Sequence, residues 1–315
     1  MTEPQDRTAE TMGRAAAAAG GRARFGAYVA LAAPGRREAW RPVAMIGLIL
    51  LTQMLMLVLA TAFAAHLLGA PPSQAGGAQG ARAQLLIALV CLAATPFALA
   101  AGLRALHGRR LSSLYGPARR LEPRGLLFGA ACAALLTGIG LAAATQLDLA
   151  TLSWSRAPAA GAAVLIVVFL LIPLQAAGEE LLFRGYLLQE IARRSRLALF
   201  WAAAPSALFA ALHIDAAAPL DEAISYALWS FLFGLAAAAI VWRSGALSIV
   251  IGLHVANNWI ALLLFEPAQG VAGLGPIEVR LTPGGAAATL ALNAVLLAGL
   301  YGIVALALRR REARA

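Results

Sequence analysis

Residues 160–192 read AGAAVLIVVFLLIPLQAAGEELLFRGYLLQEIA, an apolar run that contains two adjacent glutamates, Glu179 and Glu180, followed by Arg184. Roughly 20 helical residues cross the hydrocarbon core of a bilayer, so this run is long enough to span one. A charged side chain at the bilayer centre costs at least ~2.5 kcal/mol, and such residues are rare unless they serve a function. The stretch therefore predicts a membrane-spanning helix that carries a functional site.

The whole chain has the composition of a polytopic helical membrane protein. Hydrophobic residues make up 61% of the 315, charged residues 13%, and the mean hydropathy is +0.77. These values argue against a soluble domain. The net charge of +10 comes from arginines in predicted loops and termini, where membrane topology explains it, so no nucleic-acid partner is expected. Cys91 and Cys132 fall within apolar runs and predict neither a disulfide nor a metal site.

The hydropathy pattern predicts an all-α transmembrane helical bundle of about eight spans. They lie near residues 43–68, 83–106, 125–147, 160–192, 197–215, 223–243, 245–265 and 286–308. Arginines concentrate in alternate connecting segments, and the positive-inside rule then places both termini in the cytoplasm, with the chain in the cell (inner) membrane. Residues 1–42 carry seven arginines without a sustained apolar stretch and are expected to form a basic, mostly disordered cytoplasmic tail. Gly125-x-x-x-Gly129 has the spacing of a helix-packing motif.

Two further polar motifs lie in later predicted spans. Phe209-x-x-x-His213 falls in the fifth span and His254-x-x-x-Asn258 in the seventh. Residues four apart share one face of a helix, so the members of each motif are neighbours. Of the four histidines in the chain, these two are the ones at motif positions. Phe209 is expected to serve core packing.

The first motif divides its charges between two directions. Glu180 and Arg184 are four residues apart and can pair, whereas Glu179 is turned ~100° away and can face a cavity. If the fourth span continues as one helix to a turn at 193–196, Glu179 lies ~22 Å and His213 ~25 Å from that turn. His254 lies ~14 Å from the inner end of its span, and helix tilt can absorb the difference. The three motifs are therefore predicted to form one site within the bilayer, reachable from the cytoplasmic side.

Glu-Glu-Leu-Leu-Phe-Arg-Gly at 179–185 and the two histidine motifs, in this order, resemble the CPBP family of intramembrane proteases. This family includes the type II CAAX prenyl endopeptidases and the Abi-type, bacteriocin-immunity-like proteins. The resemblance covers roughly residues 160–265, expected to be the protease core. The core lies between N-terminal transmembrane helices at 43–150 and a last transmembrane helix with a basic tail at 286–315. The resemblance implies an endopeptidase that cleaves a membrane-associated protein or peptide, CAAX-like or other, in the lipid bilayer.

Carried over position by position, the resemblance also implies roles for the motif residues. Glu179 would be the general base that activates a water, with His213 sharing that water. Glu180 and Arg184 would hold the charge network in place. Amide hydrolysis requires a positioned base of this kind.

The remaining motif residues, His254 and Asn258, would donate hydrogen bonds to the developing oxyanion, which requires preorganised donors. Metal dependence stays open at this point. Glu179, His213 and His254 could supply three ligands of a catalytic zinc ion, with a fourth position open for water. The resemblance also allows a metal-free glutamate mechanism, and we favour the metal-free version.

Two alternatives belong to other functional classes. A proton-coupled transporter would use the carboxylates as a relay, but it should show polar residues along a pathway and often two related halves. In this chain the polar residues cluster on three predicted helices. A non-proteolytic membrane immunity or scaffold protein of the same family would share every motif, so the sequence does not separate it from a protease.

Overall fold

The computed structural model describes residues 20–154, 160–215, 218–267, 274–282 and 285–312. Within these ranges the chain forms nine helices, which confirms the predicted all-α class. They are α1 (Gly21–Ala30), α2 (Trp40–Leu68), α3 (Gly77–His107), α4 (Pro123–Gln146), α5 (Ala162–Ala192), α6 (Leu199–Ala211), α7 (Leu220–Ser244), α8 (Ser248–Leu264) and α9 (Gly285–Glu312). A single 3-10 turn, Leu111–Leu114, lies between α3 and α4.

Six of these helices, α2, α3, α4, α5, α7 and α9, are long and apolar enough to cross a bilayer. The chain is therefore a multi-pass membrane protein. The predicted fifth and seventh spans correspond to α6 and α8, which are apolar but have fewer than 18 residues. Since a helix rises ~1.5 Å per residue, both are shorter than a ~30 Å hydrocarbon core. The count of eight spans stays a prediction.

A small sheet, which the sequence analysis did not predict, covers one end of the bundle. Its strands are β1 (Ala150–Trp154), β2 (Phe265–Pro267) and β3 (Ile277–Leu281), in the order β1-β3-β2. β1 runs antiparallel to β3 and β2 parallel to it. Because β1 follows α4, β2 follows α8 and β3 precedes α9, the sheet marks the end where these helices meet.

The N-terminal segment departs from the expected tail over 1–42. Residues 1–19 lie outside the described part of the chain, but residues 21–30 form α1, which packs against α7. Tyr28 in α1 is completely buried, and its hydroxyl shares its proton between the backbone oxygens of Leu114 at 2.9 Å and Arg184 at 3.1 Å. A disordered tail is therefore wrong for residues 20–42, since an aromatic side chain anchors this segment to the protein interior.

A buried ion network closes the C-terminal end of α5, the end next to α6. Glu190 forms ion pairs with Arg109 at 3.1 Å, Arg193 at 2.7 Å and Arg194 at 2.8 Å. The neighbouring Gln189 donates to the backbone oxygens of α1 and of the 3-10 turn. Burial lowers the pKa of Arg109, and the charge of Glu190 opposes that shift. The network ties three segments together at the arginine-rich end of the bundle.

Helices α4 and α8 approach each other through glycines. A Cβ atom at Gly129 would lie 2.0 Å from the backbone oxygen of Ile249, and one at Gly252 would lie 2.0 Å from that of Leu126. Gly125 lies against Ser248 in the same contact. Small residues permit such close backbone approach. The contact holds α8, and with it the third motif, against α4.

Candidate active site

The first motif lies where α5 changes its winding. The helix is α-helical through Glu180 and becomes π-helical from Leu181 to Leu187, before it continues to Ala192. The chain thus stays one helix through Ala192, as the depth comparison required. Short π-helical segments occur frequently at functional sites. Glu180 is fully buried, and Arg184 is 2% exposed.

Four ionisable side chains form a continuous chain of contacts. Arg184 donates to Glu180 Oε1 at 3.1 Å, and the same oxygen lies 2.8 Å from His254 Nδ1. The second ring nitrogen of His254, Nε2, lies 3.5 Å from Glu179 Oε2. The structure therefore brings the first and third motifs together, with His254 between the two glutamates.

The aromatic ring of Phe209 packs against this chain of contacts. Its ring centre lies 4.4 Å from the guanidinium carbon of Arg184, within cation–π range. The same ring contacts the imidazoles of His254 and His213, with centroid distances of 6.2 and 4.3 Å. Its expected role in core packing fits its 2% exposure, and the ring also contacts three polar side chains of the motifs.

The second motif reaches the site from the end of α6. His213 lies two residues beyond Ala211, the last residue of this helix, and its Nδ1 donates to the backbone oxygen of Phe209 at 2.7 Å. In the neutral ring, Nε2 is then the acceptor. His213 lines the same cavity as Glu179 and His254. Among the described contacts it makes no hydrogen bond to either of them.

Two amide side chains that the sequence analysis left out, those of Gln175 and Asn257, complete the site. Asn258 donates to the side-chain oxygen of Gln175 at 2.9 Å, and Asn257 donates to that of Asn258 at 3.1 Å. Gln175 lies one helical turn before Glu179, on the same face of α5, and this spacing could have pointed to it. Asn257 is turned away from His254 along the helix, yet it lines the cavity because the cavity is wide.

The motifs border one large cavity of about 1590 Å³ inside the bundle. Six polar side chains of the site line it: Gln175, Glu179, His213, His254, Asn257 and Asn258. Glu180 and Arg184 are not among the lining residues, since they lie behind His254 and Phe209. The carboxylate that faces the cavity is therefore Glu179, and its neighbour takes part in the buried ion pair, as the helical geometry predicts.

The side chains do not form the three-ligand metal site considered from the sequence. Within the described ranges, no group of three His, Cys, Asp or Glu residues is arranged to hold a metal ion. His254 has both ring nitrogens directed at carboxylates, and His213 Nδ1 bonds to its own helix. Glu179, His213 and His254 therefore do not fit a zinc site as they are arranged.

Comparison with known proteins shows what this part of the chain is similar to. Residues 159–260 match the family model described as Rce1-like, type II CAAX prenyl endopeptidase, and these residues contain all three motifs. The uncharacterized protein YyaK of Bacillus subtilis (strain 168) is 29% identical over 121 residues. That match covers 38% of this chain and spans 40% of the length of YyaK. The resemblance predicted from the three motifs is thereby confirmed: over residues 159–260 the chain is similar to the Rce1-like type II CAAX prenyl endopeptidases, a protease family.

Proposed function

We propose that this protein is an intramembrane endopeptidase that hydrolyses a peptide bond of a membrane-associated substrate with a water activated by Glu179. The chain of contacts Arg184–Glu180–His254–Glu179, which ends at a cavity inside the bundle, supports this proposal. Ionisable side chains within membrane-spanning helices are costly to bury, and they usually serve a function. An ordered row of acid and base groups beside a cavity supplies what amide hydrolysis requires.

Glu179 is suited to the role of general base. Its Oε2 is buried and has no hydrogen-bond partner among the described residues. It lies 3.5 Å from His254 Nε2, slightly longer than an ordinary N–H···O hydrogen bond. Glu179 also lines the cavity, so its carboxylate is placed to accept a proton from a water there.

His254 is suited to hold a proton beside this base. Its Nδ1–H donates to Glu180, whose charge Arg184 balances, so a neutral ring would present the lone pair of Nε2 to the carboxylate of Glu179. The lone pair and the negative carboxylate would repel each other. A proton shared between Nε2 and Oε2 removes this repulsion. As the water oxygen bonds to the substrate carbonyl carbon, Glu179 takes the water proton. As the C–N bond breaks, the Glu179–His254 pair delivers a proton to the leaving nitrogen.

We assign the stabilisation of the oxyanion to Asn258. After its bond to Gln175, the Asn258 amide has a second N–H, which is a suitable donor to the oxygen of a tetrahedral intermediate. Loss of one such donor typically costs ~10²–10³ in rate. This assignment differs from the resemblance, which implies that His254 is also a donor, because both ring nitrogens of His254 face carboxylates.

The test is cleavage by purified protein in detergent. The substrates are a prenylated C-a-a-X reporter peptide and a set of unprenylated single-span reporters. Glu179→Gln is expected to lower the rate at least ~10²-fold, the size of a general-base contribution. The matched control is Glu122→Gln, since Glu122 is an exposed carboxylate that does not line the cavity. It should cleave like wild type.

Cleavage by Glu179→Gln at the wild-type rate would refute the proposed base. A zinc chelator should leave wild-type cleavage unchanged, and its loss would show a metal ion that the described side chains do not by themselves accommodate. If wild type cleaves no reporter while Glu179→Gln keeps biological activity, the non-proteolytic scaffold function replaces this proposal.

A further inference from the structure

The cavity has charged residues at one end only. Apart from Glu179, the charged residues that line it are Asp215, Glu222 and Arg280. Asp215 follows α6, Glu222 is in the first turn of α7, and Arg280 is in β3. Since α6 ends and α7 begins at the same end of the bundle as the sheet, these three residues form one rim. Water and polar groups therefore meet the cavity at this rim.

The opposite end of the bundle is closed by packing. Tyr28, Leu103, Leu114 and Leu247 are each 0% exposed there. The Glu190 ion network lies beside them and ties α5 to α1. Within the described ranges, no residue of α1, of the α3–α4 connection or of the α5–α6 connection lines the cavity. A polar substrate segment has no path to Glu179 from this end.

The closed end is the arginine-rich end. Nine arginines lie on or near the α3–α4 and α5–α6 connections, namely Arg104, Arg109, Arg110, Arg119, Arg120, Arg124, Arg193, Arg194 and Arg196. Segments of this kind stay in the cytoplasm according to the positive-inside rule. The rim end carries Asp215, Asp221, Glu222 and Glu278 with few arginines, and its Arg280 pairs with Glu278 at 2.6 Å.

We propose that the active-site cavity opens at the extracytoplasmic face of the membrane. This reverses the access from the cytoplasm that the sequence analysis expected. A protein that is attached to the cytoplasmic leaflet and keeps its C-terminus in the cytoplasm could not present a peptide bond to this rim.

The side chains that line the cavity indicate the class of substrate, and this inference rests on the proposed endopeptidase function. Between α2 and α6 the cavity is lined by apolar side chains that are also partly exposed at the membrane face, such as Ile46, Leu50, Leu208 and Leu212. A suitable substrate has an apolar segment in the bilayer and continues into a polar segment outside. Because the rim carries more acidic than basic groups, a neutral or basic outer segment fits it best.

The test is thiol labelling of intact cells with a membrane-impermeant maleimide. The native thiols are removed with Cys91→Ala and Cys132→Ala, since these are the two cysteines of the chain. Glu222→Cys samples the rim, and Ser225→Cys samples the cavity one turn deeper along α7. Ser195→Cys is the matched control in the α5–α6 connection, and it leaves every arginine that sets the orientation in place.

The expected result is equal labelling of Glu222→Cys and Ser225→Cys in intact and permeabilised cells, and labelling of Ser195→Cys only after permeabilisation. Labelling of the two α7 variants only after permeabilisation would overturn the proposal, and so would no labelling of Ser225→Cys under either condition. Adding Glu179→Gln should leave the pattern unchanged, because labelling needs no catalysis. Failure of cleavage with this pattern intact would refute the proposed enzyme and not the direction of access.

Discussion

Replacing Gly129 by alanine is expected to force α4 away from α8, the helix that carries His254 and Asn258. A Cβ atom at position 129 would lie 2.0 Å from the backbone oxygen of Ile249 and 2.8 Å from the backbone nitrogen of Leu253. Both are main-chain atoms, so no side-chain rotation can relieve the overlap. The two helices must move apart.

The size of the effect follows from these distances. Ordinary van der Waals contact begins at about 3.4 Å, so the backbones must separate by about 1.4 Å at this point. Overpacking of a filled interior typically costs ~1–3 kcal/mol, against the ~1 kcal/mol by which alanine is favoured over glycine in a helix. His254 directly follows Leu253, and a misplacement of ~1 Å in a catalytic group can lower the rate about 10²-fold.

Two measurements check this expectation. Thermal unfolding in detergent, followed by the fluorescence of the six tryptophans, should show a lower Tm, and reporter cleavage should fall about 10²-fold. Gly138→Ala is the matched control on the same helix, because nothing lies within 4 Å of a Cβ atom there. It should keep wild-type cleavage and an equal or higher Tm. A wild-type Tm and rate for Gly129→Ala would show that this contact does not position α8.

Two further variants test contacts that lie behind the site. Tyr28→Phe should lower the free energy of unfolding by ~1–3 kcal/mol, because the buried backbone oxygens of Leu114 and Arg184 lose their shared donor. An unchanged denaturation midpoint would show that α1 does not stabilise the first motif. Gln175→Leu should lower kcat more than it changes KM, because the Asn258 amide loses the acceptor that orients it. An unchanged kcat would refute that positioning role.

Most of the correct predictions rest on local patterns of hydropathy and residue spacing in the sequence. The apolar run at 160–192 became one continuous helix, and Glu180 and Arg184 pair across one turn, as their spacing indicates. The order of the three motifs was enough to indicate a resemblance to a family, and the comparison then confirmed that similarity over residues 159–260. These features depend on neighbouring residues or on side-chain spacing along one helix.

The failures have a common physical origin. Residues 20–42 lack an apolar run, so nothing local predicts α1, which is anchored by Tyr28 to a part of the chain 156 residues away. The strands have three to five residues and form by pairing of distant segments, so their pattern is too short to recognise. The spacing of Gln175 and Glu179 could have pointed to Gln175, but its bond to Asn258 depends on the packing of α8 against α5.

The sequence by itself determined the all-α membrane class, the long spans and the pairing of Glu180 with Arg184, because hydropathy and helical spacing are local properties. Only the tertiary structure decided that His254 lies between two glutamates, that the arginine-rich end is closed and that the cavity meets a rim of acidic residues. His254 and Glu180 are 74 residues apart in the chain, and the packing of α8 against α4 and α5 sets the distance between them.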